Sequence, residues 1–319
     1  MTTRRRFLLA SAIGAMAPVR AFAQARPAKV GMLGPRPLAE SVYAGGIVRR
    51  LAELGYRDVE YRSADGFADR YPKLARELIG LKCDIVVAFG DEHPARALQD
   101  ARSPVPLIFL AVSYEPLEKG LVGSLRRPDR NTTGVYLPQN EMVAKRVEIM
   151  REVLPAARRF LVFADVFSRD QIAAARKAAE ATRVELTLTE FAGQSYDFSG
   201  AFEAAIKAGA EAFMTLASPA FAIHASALSA LALKHRLPSI GTAAQLTEAG
   251  FLLSLNADAA KATRRVAEIA VRILKGTKPA DIPVEQADEF ELVVNAKTAR
   301  ALGVKIPESV MARATRIVT

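Results

Sequence analysis

Short apolar runs alternate with amphipathic stretches along most of the chain, and this alternation predicts the order of its strands and helices. Runs rich in Val, Ile, Leu and Phe are typical of buried parallel strands, whereas apolar residues three and four positions apart predict helices. The predicted strands are 29–33, 59–61, 84–89, 107–112, 133–136, 160–164, 185–189, 212–216, 239–241, 252–255 and 289–295. The predicted helices are 40–54, 70–81, 94–101, 117–125, 140–154, 171–181, 200–208, 220–235 and 258–274, with a short one at the end. This order predicts an α/β protein with mainly parallel sheets and helices on both faces.

The same succession of elements occurs twice, which predicts two lobes of one architecture. We expect lobe 1 to comprise residues 27–136 with about 256–288, and lobe 2 to comprise 137–255 with about 289–319. Parallel sheets bind ligands beyond the carboxyl ends of their strands, so two facing lobes would form a binding cleft. Several crossings of the chain between lobes would make a hinge that allows the cleft to close.

The first residues of the chain have the three-part pattern of a cleaved secretory signal. Three arginines at 4–6 precede an apolar stretch over 7–19, and a small-x-small end lies at 21–23. This stretch is shorter than the roughly 20 apolar residues of a membrane span. We therefore expect cleavage after Ala23 and export. The arginines also resemble the twin-arginine signal, but Leu9 stands where that signal often has lysine, so both export routes stay open.

Composition and charge restrict the classes of partner. Half of the 319 residues are hydrophobic and 24% are charged, which suits a packed core. The net charge of +10 falls to +6 without the four arginines of the leader, and the remaining basic residues are interspersed with acids. Together with only 7% aromatic residues, this pattern disfavours nucleic-acid binding.

Cysteine and histidine usage bears on compartment and metal binding. Cys83 is the one cysteine, so no intramolecular disulfide can form, and the leader ends without a cysteine for a lipid to modify. These features favour a protein free in a Gram-negative periplasm. His93, His224 and His235 are scattered, although the last two could share a helix face, and they do not have the close spacing of a zinc site. We therefore expect neither a metal nor a cofactor.

An ordered set of motifs gives the chain a family resemblance. They are LAELGY at 51–56, LARELIGLKCDIVVA at 74–88, PLIFLAV at 106–112, GLVGSL at 120–125, NTTG at 131–134, KHRLP at 234–238, ILKG at 273–276, PADIPVE at 279–285, FELVVN at 290–295 and KTARALG at 297–303. This set resembles the ABC_sub_bind family of periplasmic substrate-binding proteins, which includes tryptophan- and phenylalanine-binding receptors. The resemblance implies the type I periplasmic-binding-protein fold. It also implies hinged capture of a small organic solute, aromatic or carboxylate- and amino-acid-like, and its delivery by a monomer to an ABC permease of the inner membrane.

The resemblance also implies that the loops after the strand ends contact the ligand. The candidate residues in these loops are Gly34, Pro35, Gly90, Asp91, Glu92, Ser113, Tyr114, Tyr136, Asp165, Phe167, Ser168, Ser218, Phe221, Thr242 and Gln245. Loops that lead into helices offer free N–H groups and a positive dipole end to a carboxylate. For Ser168, Ser218 and Thr242, simple helix capping is an equally good explanation.

Departures from the family pattern affect the expected ligand. Asp91 and Glu92 stand where relatives often have Thr-Pro-Ala, and they would repel a carboxylate unless an arginine such as Arg36 compensates. An acid at a helix start is also a favourable cap, which is the better explanation of Asp91. Ser218 aligns with the aspartate that holds the amine in relatives, which weakens the case for an α-amino acid. Phe167 could stack on a flat ligand or fill the core.

Two functions of other classes are weighed beside the receptor. The sequence contains no nucleophile elbow, His-Glu-x-x-His pair, phosphate loop or dinucleotide glycine pattern. The acid–base cluster at residues 91–93 is the best indication of an exported hydrolase, but neighbouring residues of a turn point in different directions. A ligand-sensing module for a membrane sensor is the third possibility. We expect a binding protein without turnover.

Overall fold

The strands form two separate sheets in the computed structural model, which describes residues 26–128, 130–193 and 196–319. The predicted leader and its cleavage site lie outside the described residues. In chain order, the strands are β1 Lys29–Gly34, β2 Asp58–Ser63, β3 Ile85–Gly90, β4 Leu107–Ala111, β5 Thr132–Tyr136, β6 Arg159–Asp165, β7 Glu185–Phe191, β8 Ala212–Thr215, β9 Ser239–Gly241, β10 Leu253–Ala257, β11 Glu285–Gln286, β12 Phe290–Asn295 and β13 Arg316–Val318.

Sheet topology divides these strands between the two halves of the molecule. The first sheet has the order β11-β5-β4-β3-β1-β2, and all of its pairs are parallel. The second has the order β13-β12-β10-β9-β8-β6-β7, and its one antiparallel pair joins β10 to β12. We call the first sheet with its helices lobe 1 and the second sheet with its helices lobe 2.

Helices cover both faces of each sheet. They are α1 Val42–Glu53, α2 Tyr71–Gly80, α3 Glu92–Asp100, α4 Gln139–Val153, α5 Ile172–Thr182, α6 Phe198–Lys207, α7 Pro219–Ile223, α8 Ala225–Lys234, α9 Ala244–Ala249, α10 Ala259–Leu274, α11 Ala296–Leu302 and α12 Glu308–Arg313. Short 3-10 helices are Leu38–Glu40, Ala68–Arg70, Arg169–Gln171 and Pro279–Asp281. In lobe 1, α1 and α10 cover one face and α2 and α3 the other. In lobe 2, α4, α5, α11 and α12 face α6 to α9 across the sheet.

The chain passes between the lobes three times. It leaves β5 of lobe 1 for α4 of lobe 2 at residues 137–138, and returns from β10 to α10 at Asp258. It crosses again between β11 and β12 at residues 287–289. Two of the crossings are tied together, because the Asp258 N–H donates to the carbonyl of Glu289 over 2.9 Å. We call these three segments the hinge.

The structure corrects several predicted elements. Residues 117–125 form turns and bends instead of the predicted helix. The predicted helix 220–235 is two helices, α7 and α8, with a break at His224. Phe221, Ala225, Leu228 and Ala232 are all buried on one side of this segment, so the apolar spacing continues across the break and conceals it. Helix α9 and strands β11 and β13 are short elements that the sequence pattern did not predict.

Two features are absent from the described residues. No helix there has both the length and the apolar character needed to cross a membrane. In the same part of the chain, no three side chains of His, Cys, Asp or Glu gather closely enough to hold a metal ion.

Candidate ligand-binding site

The carboxyl ends of the strands of the two lobes face each other, and side chains join them directly. Arg36, which follows β1 in lobe 1, donates from Nη2 to the carbonyl of Pro219 at the start of α7 over 2.7 Å. The Lys119 ammonium, in the loop after β4, lies 2.6 Å from a carboxylate oxygen of Asp170 in lobe 2. The space between the strand ends is therefore a cleft whose two walls are in contact at these points.

Asp91 in the lobe 1 wall is a helix cap. Its Oδ1 accepts from the backbone N–H of His93 over 2.9 Å, at the start of α3, and lies 3.0 Å from the Nδ1 of the same residue. This hydrogen bond raises the pKa of His93 above its ordinary value. The preceding residue, Gly90, has a φ of +112°, which a residue with a Cβ rarely adopts. The sequence interpretation of Asp91 as a cap thus agrees with the observed geometry.

The loop after β4 presents one buried tyrosine and one unpaired carboxylate. The ring of Tyr114 is only 3% exposed and packs in the core beneath α3. Glu115 is half-buried, and among the described residues no cation lies within ion-pair distance of it. Burial, and to a smaller extent the charges of Glu118 and Glu141, raise the pKa of Glu115 to about 7.

Glu115 gives the folded protein a dependence on pH that can be tested. The carboxyl keeps its proton to higher pH in the folded state than in the unfolded state, so its contribution to stability falls as pH rises from about 4.5 to about 7. We expect Glu115→Gln to gain about 1–2 kcal/mol of unfolding free energy over wild type between pH 5 and pH 8, after allowance for solvent screening. Urea unfolding at both pH values measures this gain. The exposed Glu180→Gln is the control, and an equal, pH-independent difference for both variants contradicts the expectation.

The lobe 2 wall is organised by Asp165, which is fully buried at the end of β6. Its Oδ1 accepts from the N–H of Phe167 over 3.0 Å and from the hydroxyl of Ser168 over 3.2 Å. Its Oδ2 accepts from the hydroxyl of Tyr196 over 3.1 Å and from that of Ser218. Four donors from three loops therefore converge on one carboxylate, which fixes these loops relative to each other.

Helix capping accounts for only one of the three hydroxyl residues that the sequence suggested as caps. Ser218 accepts from the N–H of Ala220 at the start of α7, while its own hydroxyl donates to Asp165. The side chain of Ser168 caps no helix. Thr242 is not the N-cap of α9, because Ala243 holds that position. Ser168 instead accepts from the backbone N–H of Asp165 over 2.9 Å.

The two candidate phenylalanines of lobe 2 have different environments. Phe221 is 0% exposed and packs among the rings of Phe163, Phe191 and Phe198. Phe167 is half-buried in the loop after β6 and stays a candidate.

The remaining candidates lie at the strand ends or just after them. Gly34 is the last residue of β1, and Pro35 follows it. Ser113 and Thr242 are buried. Tyr136 is buried at the end of β5 and donates from its hydroxyl to the side-chain oxygen of Gln286 over 2.7 Å. Gln245 is exposed on α9, and Glu92 lies 3.5 Å from Lys119.

Sequence patterns did not reveal the polar network beneath the hinge. Gln139 at the start of α4 donates from Nε2 to the carbonyl of Val112 in lobe 1 over 2.8 Å. Its side-chain oxygen accepts from Nη2 of Arg146 over 3.2 Å, and Nε of Arg146 donates to the carbonyl of Leu255 over 2.8 Å. Arg146 is 0% exposed. Burial lowers its pKa to about 9, which leaves it charged at neutral pH. This network ties α4 and β10 to the loop that follows β4.

A family model described as ABC transporter substrate binding protein matches residues 39–318. A tyrosine-binding protein of Clostridioides difficile is 25% identical over 270 residues, which are 81% of this chain and 75% of that protein.

Solved structures match along most of the chain. A conserved domain protein from Vibrio cholerae is 26% identical with a TM-score of 0.81, over 92% of this chain and 100% of that one. An ABC domain from Streptococcus pneumoniae in complex with L-Trp is 23% identical with a TM-score of 0.79, over 91% of this chain and 100% of that one. The predicted two-lobed fold of type I periplasmic-binding proteins is confirmed.

Proposed function

The chain belongs to the family of ABC transporter substrate binding proteins, and we propose that it captures an aromatic amino acid between its lobes for delivery to a permease. As a member of this family it binds a solute and is not an enzyme, so the Asp91–His93 pair is a helix cap and not a hydrolase site. The observation that carries the ligand class is the match to the tyrosine-binding protein along 81% of the chain. The complex of the Streptococcus pneumoniae protein with L-Trp supports the same class.

The charges of the cleft support a ligand with an ammonium group. Ser218 stands where we align the amine-holding aspartate of relatives, but the Asp165 carboxylate hydrogen-bonds to its hydroxyl. A carboxylate is therefore present at this place in lobe 2, although it comes from the neighbouring strand β6. In lobe 1, Glu115 provides a second carboxylate without a cationic partner among the described residues. An ammonium beside Glu115 would favour the charged carboxylate, so such a ligand binds more tightly above pH 7.

The half-buried ring of Phe167 supports an aromatic side chain on the ligand. It follows β6 at the cleft-facing end of lobe 2, and its backbone N–H is held by Asp165. A ring fixed at the mouth of a cleft offers a stacking surface to a flat group, with a contribution of about 0.5–1.5 kcal/mol beyond its buried area.

Calorimetry with a matched ligand series tests this proposal. L-Tyrosine, L-tryptophan and L-phenylalanine are compared with tyramine, which lacks the carboxylate, with 3-(4-hydroxyphenyl)propionate, which lacks the ammonium, and with L-leucine, which lacks the ring. We expect at least one aromatic amino acid to bind stoichiometrically, and loss of its ammonium to weaken binding by about 100-fold or more, because the half-buried carboxylate of Glu115 loses its partner. Tighter binding of the propionate than of every amino acid would contradict the proposal.

We propose further that the protein works in the periplasm as a monomer, with its leader removed after Ala23. The basic start, short apolar stretch and small-x-small end support this cleavage site. Edman sequencing of the protein from the periplasmic fraction tests it, since the first residue after cleavage is Gln24. A mature start elsewhere, or retention in the cytoplasmic fraction, would refute this part of the proposal.

A further inference from the structure

We propose that Lys119 is a latch between the lobes, whose ion pair with Asp170 stabilises the closed cleft and so sets ligand affinity without touching the ligand. The effect on affinity rests on the proposed function. The effect on the closed form does not, because the ion pair joins the two lobes of the chain itself.

The ion pair joins the two lobes, so it can form only in the closed protein. Lys119 belongs to lobe 1 and Asp170 to the 3-10 helix that follows β6 in lobe 2, and their charged atoms are 2.6 Å apart. The lysine and aspartate side chains are 27% and 44% exposed. The pair therefore lies at the mouth of the cleft, where salt in the solvent can screen it.

Each partner is held in place by its own lobe. The Lys119 N–H donates to the carbonyl of Glu115 over 3.1 Å, and the carbonyl of Lys119 accepts from the Arg96 guanidinium. Glu92, also in lobe 1, lies 3.5 Å from the ammonium and keeps it near the mouth when the lobes part. The segment of Asp170 is fixed by Gln171, which exchanges two hydrogen bonds with the backbone of Ala217. The ion pair therefore forms only when the lobes themselves approach.

A second contact between the lobes differs in chemistry, which allows the two to be separated. Arg36 donates to the carbonyl of Pro219, a neutral acceptor, over 2.7 Å. Arg36 follows β1, whereas Lys119 follows β4, and β3 lies between these two strands in the sheet. Of these two contacts between the cleft-facing loops, only the Lys119 contact is a pair of opposite charges.

Closure and affinity are linked quantitatively. A ligand that touches both walls binds the closed form, so its apparent Kd rises by the factor by which the closed form is disfavoured. Partly exposed ion pairs have modest strength, and we therefore expect Lys119→Met and Asp170→Asn each to raise Kd about three- to fivefold at low salt. The two changes remove the same interaction, so the double variant should be no weaker than either single one.

The experiment combines calorimetry with scattering on the full protein. Calorimetry uses the aromatic amino acid that binds wild type, at about 20 and about 300 mM NaCl, with the salt range chosen from the screening length. Salt should weaken wild-type binding and leave the Lys119→Met variant nearly unaffected. Glu248→Gln is the matched control, since it removes an ion pair with Arg316 of the same 2.6 Å length within lobe 2, and it should leave Kd unchanged.

Small-angle scattering of the ligand-free variants separates failure of the latch from failure of the proposed function. We expect Lys119→Met and Asp170→Asn to show a larger radius of gyration than wild type and Glu248→Gln. Equal radii for all four proteins overturn the latch even if an amino acid binds. Larger radii support it even if no amino acid binds. Additive losses of affinity in the double variant also overturn it, since they would mean that the two side chains act separately.

Discussion

Replacement of Asp165 by alanine is expected to lower the free energy of unfolding by about 3 kcal/mol or more and to abolish ligand binding. The carboxylate is fully buried and accepts hydrogen bonds from a backbone N–H and three hydroxyl groups. Its removal leaves these donors without their acceptor in a site that solvent does not reach, and each unsatisfied group costs about 1–3 kcal/mol. The loops that carry Phe167 and Ser218 would then no longer be fixed relative to each other. Urea unfolding and calorimetry measure the two effects.

Two further variants separate the charge of Asp165 from the general cost of losing an aspartate. Asp165→Asn keeps the shape but places an amide donor among donors, so an intermediate loss is expected. Asp197→Ala removes an exposed cap whose Oδ1 accepts from the N–H of Gly200 over 2.8 Å, and should cost about 1 kcal/mol without changing affinity. Wild-type affinity together with a loss below about 1 kcal/mol in Asp165→Ala would show that the network does not organise the cleft.

The second large effect is expected at Gly134, in the middle of β5. A Cβ at this position would lie 2.1 Å from the carbonyl oxygen of Phe109 on the neighbouring strand β4, with which Gly134 is paired. Backbone cannot move aside as a side-chain tip does, so Gly134→Ala must push the two strands apart. We expect a loss of about 3 kcal/mol in the free energy of unfolding. Because β5 leads directly into the first crossing of the hinge, ligand affinity should fall as well.

Gly45 provides a matched control for Gly134. It lies within helix α1, and a Cβ added there would meet nothing within 4 Å. Alanine has the higher helix propensity, so Gly45→Ala should gain about 0.5–1 kcal/mol. Urea unfolding of both variants measures the contrast. A loss below about 0.5 kcal/mol in Gly134→Ala would mean that the strands adjust without strain.

The sheets could be predicted from the sequence because most of their strands are covered on both faces. Ile85–Gly90 and Leu107–Ala111 are continuous apolar runs, which is the pattern of parallel strands buried on both sides. The short strand Glu285–Gln286 is polar, and its pairing with β5 depends on where the hinge places it. No local pattern encodes such a pairing. The family resemblance, carried by motifs along the chain, supplied the fold type and is confirmed.

The candidate site could be predicted as a set of loops but not as a set of contacts. Phe167 and Phe221 are both aromatic residues that follow strand ends, yet Phe167 is half-buried in its loop and Phe221 lies wholly within a cluster of rings. Whether each ring is buried depends on side chains that come from other strands and helices. Similarly, Arg36 and Pro219 are 183 positions apart, and their hydrogen bond has no counterpart in sequence spacing.

Arg146 is a further case in which local pattern misleads. An arginine in an amphipathic helix is expected on the face exposed to water. It is instead fully buried, because the carbonyl of Leu255 and the side chain of Gln139 accept its hydrogen bonds beneath the hinge. One acceptor lies in the same helix, α4, whereas the other belongs to β10, which is 109 positions away in the chain.

The three crossings also affect how the protein is made. The core of lobe 1 is closed by α10, whose residues 259–274 follow nearly all of lobe 2 in the chain. A ribosome that has synthesised 250 residues has therefore released α1 and its strands without the helix that covers them. Pairing of segments so distant in sequence is slow, and an incomplete apolar face is prone to aggregate. Lobe 1 therefore cannot complete its core until α10 has been made, and lobe 2 lacks β12, β13, α11 and α12 until the last residues of the chain are added.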